Sequence, residues 1–276
     1  MPTHAIMTKC HLIILLALLS MASACRNTDK GPSLAEYSAS SVSGKKFNFE
    51  KYAKSLDEMD VQQALDCQRE RLAINDSSLF QEELKYQKHY FFDPNSPFRN
   101  EEYMIPVFEA VLESKYSDYS QKEDARYFLP LFSLNRLGEK AADFTFFTKG
   151  GRTRNLYSIQ SDFILLFFSN PGCENCKQIT DALKADVFIS QTMADGRLTV
   201  VNIYPDDDIQ AWYDYVQNYP KEWISGYASD IDDSTPERFM LYYLRAIPSL
   251  YLLDRDKRVL LKDAPIEKII PGICQR

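Results

Sequence analysis

Cys173 and Cys176 stand three residues apart, directly after the turn formers Ser169, Asn170, Pro171 and Gly172. Two thiols at that spacing can pass between dithiol and disulfide. On one helical turn their Cβ atoms lie roughly 5–6 Å apart, so the bond forms with local adjustment only. The thiol nearer a helix N-terminus faces unsatisfied N–H groups and the positive end of the dipole, which favour thiolate, and Lys177 adds a cation one turn on. Cys173 is therefore expected as nucleophile. Cys176, deeper in the helix, is expected as the resolving thiol that attacks a mixed disulfide at Cys173 and releases reduced product. A purely structural disulfide is the competing reading, but so small a ring removes little entropy from the unfolded chain. Zinc would need two further ligands, and Cys25, Cys67, Cys274 and His89 offer no second close pair, so no metal is expected.

The elements that must position this pair are legible around it. Phe163 to Phe168 is an unbroken apolar run, the pattern of a strand buried on both faces. After the cysteines, Ile179, Ala182 and Leu183 share one helical face. Leu198 to Tyr204 reads as a second buried strand, separated from the first by a helix of suitable length for a parallel crossover. Asp143 to Phe147, a Gly150-Gly151 turn and Thr153 to Tyr157 predict a hairpin, as do Ser249 to Leu253 and Arg258 to Lys262. Asp206, Asp207 and Asp208 lack the alternating spacing of a calcium loop and are expected to cap the helix carrying Ile209, Trp212, Tyr213 and Val216. Thr235, Pro236 and Glu237 read as the opening of a helix that runs through Leu244.

Residues 1–24 have the form of a signal peptide: Lys9, then the apolar run Leu12 to Leu19, then small residues. The run is too short to span a bilayer, which takes roughly 18 or more apolar residues. Ala22-Ser23-Ala24-Cys25 fits ordinary signal peptidase cleavage and also resembles a bacterial lipobox, and both cleave before Cys25. Lipidation of Cys25 uses the cysteine, and acyl chains such as palmitate would then hold the protein on a bilayer. Residues 25–46 read as a flexible tether. Residues 47–136 carry helical patterning: a first helix from Leu56 to Ile74, a second from Leu79 to Phe92, a third from Tyr103 to Tyr116 and a fourth from Ala125 to Leu137. Their aromatic residues are expected in a core rather than a groove, and His89 and Cys67 are expected to be structural, Cys67 as a buried thiol. The 276 residues carry a formal net charge of −7 with no outstanding basic cluster, which argues against nucleic acid and anionic membrane surfaces as electrostatic partners.

The segment Leu137 to Thr145, the strand leading into Cys173-Glu174-Asn175-Cys176-Lys177, and Arg245-Ala246-Ile247-Pro248 running into Asp254 together resemble the thioredoxin superfamily, in its exported TlpA and ResA branch. The resemblance implies an α/β thioredoxin-like fold over 137–276, a central mixed sheet flanked by helices, preceded by the all-α helical domain. It implies that Pro248 is cis and faces the cysteines. An X-Pro bond is cis in only about 5–6% of cases, so this rests on the resemblance. Ile247 would then offer backbone groups to an extended substrate segment. The tryptophan usual before the first cysteine is replaced by Gly172, and the buried acid of thioredoxin by Phe167. Glu174 stands where ResA-like sequences also have Glu; its carboxylate opposes the Cys173 thiolate and favours a reductant over an oxidant. The helical domain resembles a domain of unknown function that precedes thioredoxin-like domains in exported bacterial proteins.

The expectation is a membrane-tethered thiol:disulfide oxidoreductase that uses its own redox-active disulfide and no other cofactor. It would sit on the periplasmic side of a bacterial membrane, inner or outer, with cysteine-containing exported proteins as substrates and a membrane or periplasmic electron donor. Two alternatives stay open. A thioredoxin-fold peroxidase would carry Thr or Ser three residues before the reactive cysteine, where this chain has Asn170. A non-catalytic binding lipoprotein would leave recognition to the helical domain.

Overall fold

Each helix of the N-terminal half begins on a side chain that satisfies its free N–H groups. In the computed structural model, which describes residues 48–229 and 240–274, helix α1 (Phe49–Asp57) is capped by Asn48 and α2 (Val61–Leu72) by Asp60. Helix α3 (Ser77–Gln87) is capped by Asp76 and α4 (Glu101–Glu113) by Asn100, while α5 (Tyr119–Phe132) has a full capping box between Asp118 and Gln121. Each such cap contributes about 1 kcal/mol relative to Ala. The single helix expected from Leu56 to Ile74 is two helices, because Asp60 adopts an extended backbone and its carboxylate accepts from Gln63 N at 2.9 Å, starting a new turn. Helix α3 continues into a π-turn over Lys88–Phe92 before Asp93 and Pro94 end it. The expected signal peptide, Cys25 and tether lie outside the described residues, as do Thr235, Pro236 and Glu237.

The chain divides between Ser133 and Leu134 into two compact units. In the helical unit Phe49, Leu56, Phe80, Phe108 and Phe132 are buried, and Phe92, Phe108, Phe128 and Phe132 pack in one cluster, mostly edge-on or tilted. The aromatic residues thus fill a core. His89 is exposed, edge-on to the Tyr90 ring. Cys67 is half-buried rather than buried, its sulfur 3.8 Å from that of Met59.

The second unit is a seven-stranded mixed sheet in the order β2-β1-β5-β4-β3-β6-β7. The strands are β1 (Thr145–Thr148), β2 (Thr153–Asn155), β3 (Phe163–Phe168), β4 (Leu198–Tyr204), β5 (Ile224–Tyr227), β6 (Ser249–Asp254) and β7 (Val259–Leu261). β3 lies inside the sheet next to the central β4, parallel to β4 and antiparallel to β6, and all six of its side chains are buried. Phe163, Leu165 and Phe167 enter one core cluster, while Ile164, Leu166 and Phe168 enter the other. At roughly 1.5–3 kcal/mol per buried large apolar side chain, this strand anchors the unit.

The single helix expected between β3 and β4 is a pair, α6 (Glu174–Ala185) and α7 (Val187–Ala194), because Asp186 ends the first and caps the second. Helix α8 (Ile209–Tyr215) starts on Asp208, whose carboxylate accepts from Ala211 N. Met240 to Leu244 carry no helix, against the expectation of one through Leu244. Two elements have no counterpart in the expectations: strand β5 and helix α9 (Ile269–Cys274).

Candidate active site

The route into the site is a turn that only certain residues can make. Pro171 and Gly172 occupy its centre, Gly172 has φ +74°, and Cys173 N donates to Asn170 O at 3.3 Å. Proline followed by a residue of positive φ is the residue choice of a type II turn. A tryptophan here would sit in a strained backbone, which accounts for Gly172 in its place.

Cys173 is the N-cap of α6, and Cys176 lies in its first turn, buried. The two are joined in a disulfide with Cα atoms 5.2 Å apart, and Cys176 N donates to the Cys173 sulfur at 3.2 Å. Cys173 is half-buried and accessible; Cys176, 2% exposed, packs among Phe167, Leu183 and Trp212. Once the bond opens, the helix N–H groups and dipole face the Cys173 sulfur.

Glu174 is exposed beside Cys173. Lys177 also points to solvent, and its ammonium is held 3.0 Å from Asp181, a bond that raises its pKa. The cation expected to support the Cys173 thiolate is thus directed along the helix to a carboxylate.

The Ile247–Pro248 peptide bond is cis. Ile247 and Cys173 both pack on the core cluster that contains Cys176. Asp263 braces this loop from two sides: Arg245 Nη2 donates to it at 3.2 Å, and Ser249 Oγ donates to its other oxygen at 3.2 Å. The brace spans the residues flanking Ile247 and Pro248, so it holds the cis turn at both ends.

The position of the missing acid is filled by Phe167, fully buried and edge-on to Trp223. The polar groups at the end of β3 are neutral. Asn202 Nδ2 donates to Ser169 Oγ at 2.6 Å, and Ser169 Oγ lies 2.8 Å from the Tyr219 hydroxyl. Burial raises the Tyr219 pKa, partly offset by the hydrogen bond from Ser169, so the phenol stays protonated. Tyr219 and Cys176 together line a cleft of about 270 Å³, with Thr180, Lys184 and Tyr215 around it. Asn202, Tyr219 and Asp263 carry no signal in the sequence, and Ser169 reads there only as a turn former. The sheet register and loop packing join partners 14 to 50 positions apart, and no local spacing encodes that.

Among the described residues no cluster of three or more His, Cys, Asp or Glu side chains could hold a metal ion, and no helix is long and apolar enough to cross a membrane.

Comparison with known proteins adds to this geometry. A family model described as thioredoxin-like matches residues 161–259, and one described as a domain of unknown function (DUF5106) matches residues 41–135. The chain is 35% identical to a thioredoxin-like protein from Bacteroides caccae, over 83% of this chain and 82% of that one, with a TM-score of 0.73. The C-terminal domain of a Bacteroides fragilis protein is 39% identical, over 51% of this chain and 99% of that one, with a TM-score of 0.47. The thioredoxin domain of a thiol-disulfide oxidoreductase from Bacteroides vulgatus is 17% identical, over 51% of this chain and 96% of that one, with a TM-score of 0.42. No curated protein matches the chain.

Proposed function

The chain belongs to the thioredoxin-like proteins, and on that premise we propose that it is a thiol:disulfide oxidoreductase that reduces disulfides of exported proteins. The observation that carries the proposal is the Cys173–Cys176 disulfide at the N-cap of α6, packed on the same core cluster as Ile247 of the cis Ile247–Pro248 bond.

In the reduced protein the Cys173 thiolate attacks one sulfur of a substrate disulfide. A Cys173–substrate disulfide forms, the substrate S–S bond breaks, and one substrate sulfur leaves as thiolate and takes a proton from water. Cys176, deprotonated, then attacks the Cys173 sulfur; the internal disulfide forms and the second substrate thiolate leaves. Two electrons have moved from the protein dithiol to the substrate, and an external dithiol donor must restore them. The internal disulfide is the only redox group the scheme needs. Backbone groups of Ile247 would pair with an extended substrate segment and aim its sulfur at Cys173.

The local charges support the reductive direction. Glu174 opposes a thiolate at Cys173, and Lys177 is engaged by Asp181, so the thiolate gains little beyond the helix terminus. A lipidated Cys25 with the 25–46 tether would hold the domain at the periplasmic face of a bacterial membrane, where exported substrates and a membrane or periplasmic donor meet it. Trapping tests the proposal: Cys176→Ser should accumulate a mixed disulfide with a cystine-containing protein at Cys173, and Cys173→Ser should not. If neither variant traps substrate and the reduced wild-type chain leaves a protein disulfide intact, the proposal is wrong.

A further inference from the structure

In a chain with 39 acidic and 32 basic residues, one cleft has gathered cations alone. It measures about 550 Å³ and opens in the sheet unit between the β1–β2 turn and the segment leading into β5. Lys149, Arg152, Arg154 and Lys221 line it, and no carboxylate does. Glu222, next to Lys221, is exposed but outside the lining.

These four charges are also unclaimed. Elsewhere Lys54, Lys88, Arg126, Lys177 and Arg255 are each held by a nearby carboxylate, whereas none of the four makes an ion pair with a described residue. The backbone that carries two of them is held in a closed turn. The turn carrying Lys149 and Arg152 is closed by Thr148 N and Thr148 Oγ, which both donate to Arg152 O, at 3.0 and 3.1 Å. Lys149 Nζ lies 6.0 Å from the ring centroid of Tyr213 on α8, and Trp223 is a buried aromatic wall. Like charges lining one cleft repel one another, and an anionic occupant relieves that repulsion.

The cleft adjoins the redox centre through one residue. Tyr219 lines both the basic cleft and the cleft that contains Cys176, and Gln217 and Asn218, consecutive in one turn, line the first and the second. A chain lying in the basic cleft therefore touches the residue that also walls the cleft at Cys176. A small anion has no use for that continuity; a polypeptide does.

We propose that the Lys149–Arg152–Arg154–Lys221 cleft docks an acidic segment of the polypeptide whose disulfide Cys173 attacks, making acidic flanks a specificity determinant. This rests on the oxidoreductase reading above. Surface charge of this kind acts on encounter and on KM, and it is screened by salt.

The test uses the full chain and two synthetic peptides with the same disulfide loop, one flanked by glutamates and one by glutamines. The acidic peptide should be reduced with a kcat/KM about tenfold higher at low salt, through KM, the ratio falling towards one at about 0.5 M salt as screening sets in. Arg152→Gln with Arg154→Gln should erase the preference and leave the glutamine peptide's rate unchanged. Should that variant misfold, the salt dependence of the wild-type ratio still decides. Equal turnover of the two peptides by the wild-type chain overturns the docking proposal and leaves the oxidoreductase reading standing. If neither peptide is reduced, the oxidoreductase reading fails and takes this one with it. A heparin-type polyanion that binds the cleft while the peptides show no preference would assign the cleft to a glycan and also overturn the proposal.

Discussion

Each unit buries an ion pair, Arg71–Glu83 in the helical unit and Arg245–Asp263 in the sheet unit, but the units differ in the polar groups around it. Inside the helical unit, Arg71 donates to Glu83 through two bonds of 2.6 and 2.7 Å, Gln87 donates to Glu83 at 2.7 Å, and Gln68 joins Gln87 to Tyr52. All five side chains are buried, and Arg71 lies over the Tyr52 ring as well. Beneath the cysteines of the sheet unit, Asn202, Ser169 and Tyr219 form a buried cluster with no charge, and Asn202 Oδ1 is buried without a hydrogen bond. The helical unit uses a charged pair to fix which helix faces which. The sheet unit has its buried ion pair at the cis-proline loop, but the cluster at the end of β3 is neutral, and a charge placed there would shift a nearby thiol pKa.

Removing one member of the charged pair should produce the largest change in either unit. Glu83→Ala strands the Arg71 guanidinium in the core and should cost about 3–5 kcal/mol in urea unfolding, while joint Arg71→Met and Glu83→Leu should be close to neutral. A double variant as unstable as the single one would mean the network is required for packing and not merely for charge balance. The complementary change puts a charge into the neutral cluster at the end of β3. Asn202→Asp should lower stability by about 2–3 kcal/mol at neutral pH and recover part of that as pH falls and the acid is protonated. A pH-independent loss would trace the effect to shape.

Alkaline pH probes both regions at once. Burial raises the pKa of Tyr52 and Tyr103 in the helical unit and of Tyr219 and Tyr242 in the sheet unit above the ordinary 10.0. A raised folded-state pKa contributes stability that is present below the unfolded value and lost as pH climbs past it. Urea midpoints should therefore be flat up to about pH 10 and then fall, each such tyrosine adding up to about 1.4 kcal/mol per pH unit. Tyr52→Phe should flatten the slope of the helical unit only.

The strand and dithiol were open to reading because they are local: six apolar residues, a turn, a CxxC and an amphipathic helix all lie within 163 to 183. Strand β5 escaped because its Ser225-Gly226 centre breaks the strand pattern. The structure gives the reason, since a Cβ on Gly226 would collide with the Phe146 side chain of the strand paired to it. Helix α9 escaped because Pro271-Gly272 reads as a break. The break between α1 and α2 was missed because Asp60 sits inside a continuous apolar rhythm and acts through its own side chain as a cap. The Asp263 brace and the Asn202 cluster depend on tertiary register alone. At the smallest scale, Gly172→Ala should cost about 1 kcal/mol through its positive φ, read as a shifted unfolding midpoint.

The central claim is that Cys173 and Cys176 are a working redox couple. Its most direct test is the reduction potential of that couple in the full chain, with Cys176→Ser as control. A two-electron transition near about −270 mV, absent in the control, is the predicted result. A value near about −120 mV would make the protein an oxidant and contradict the inference from Glu174 and Lys177, and the absence of any two-electron transition would contradict the oxidoreductase account itself.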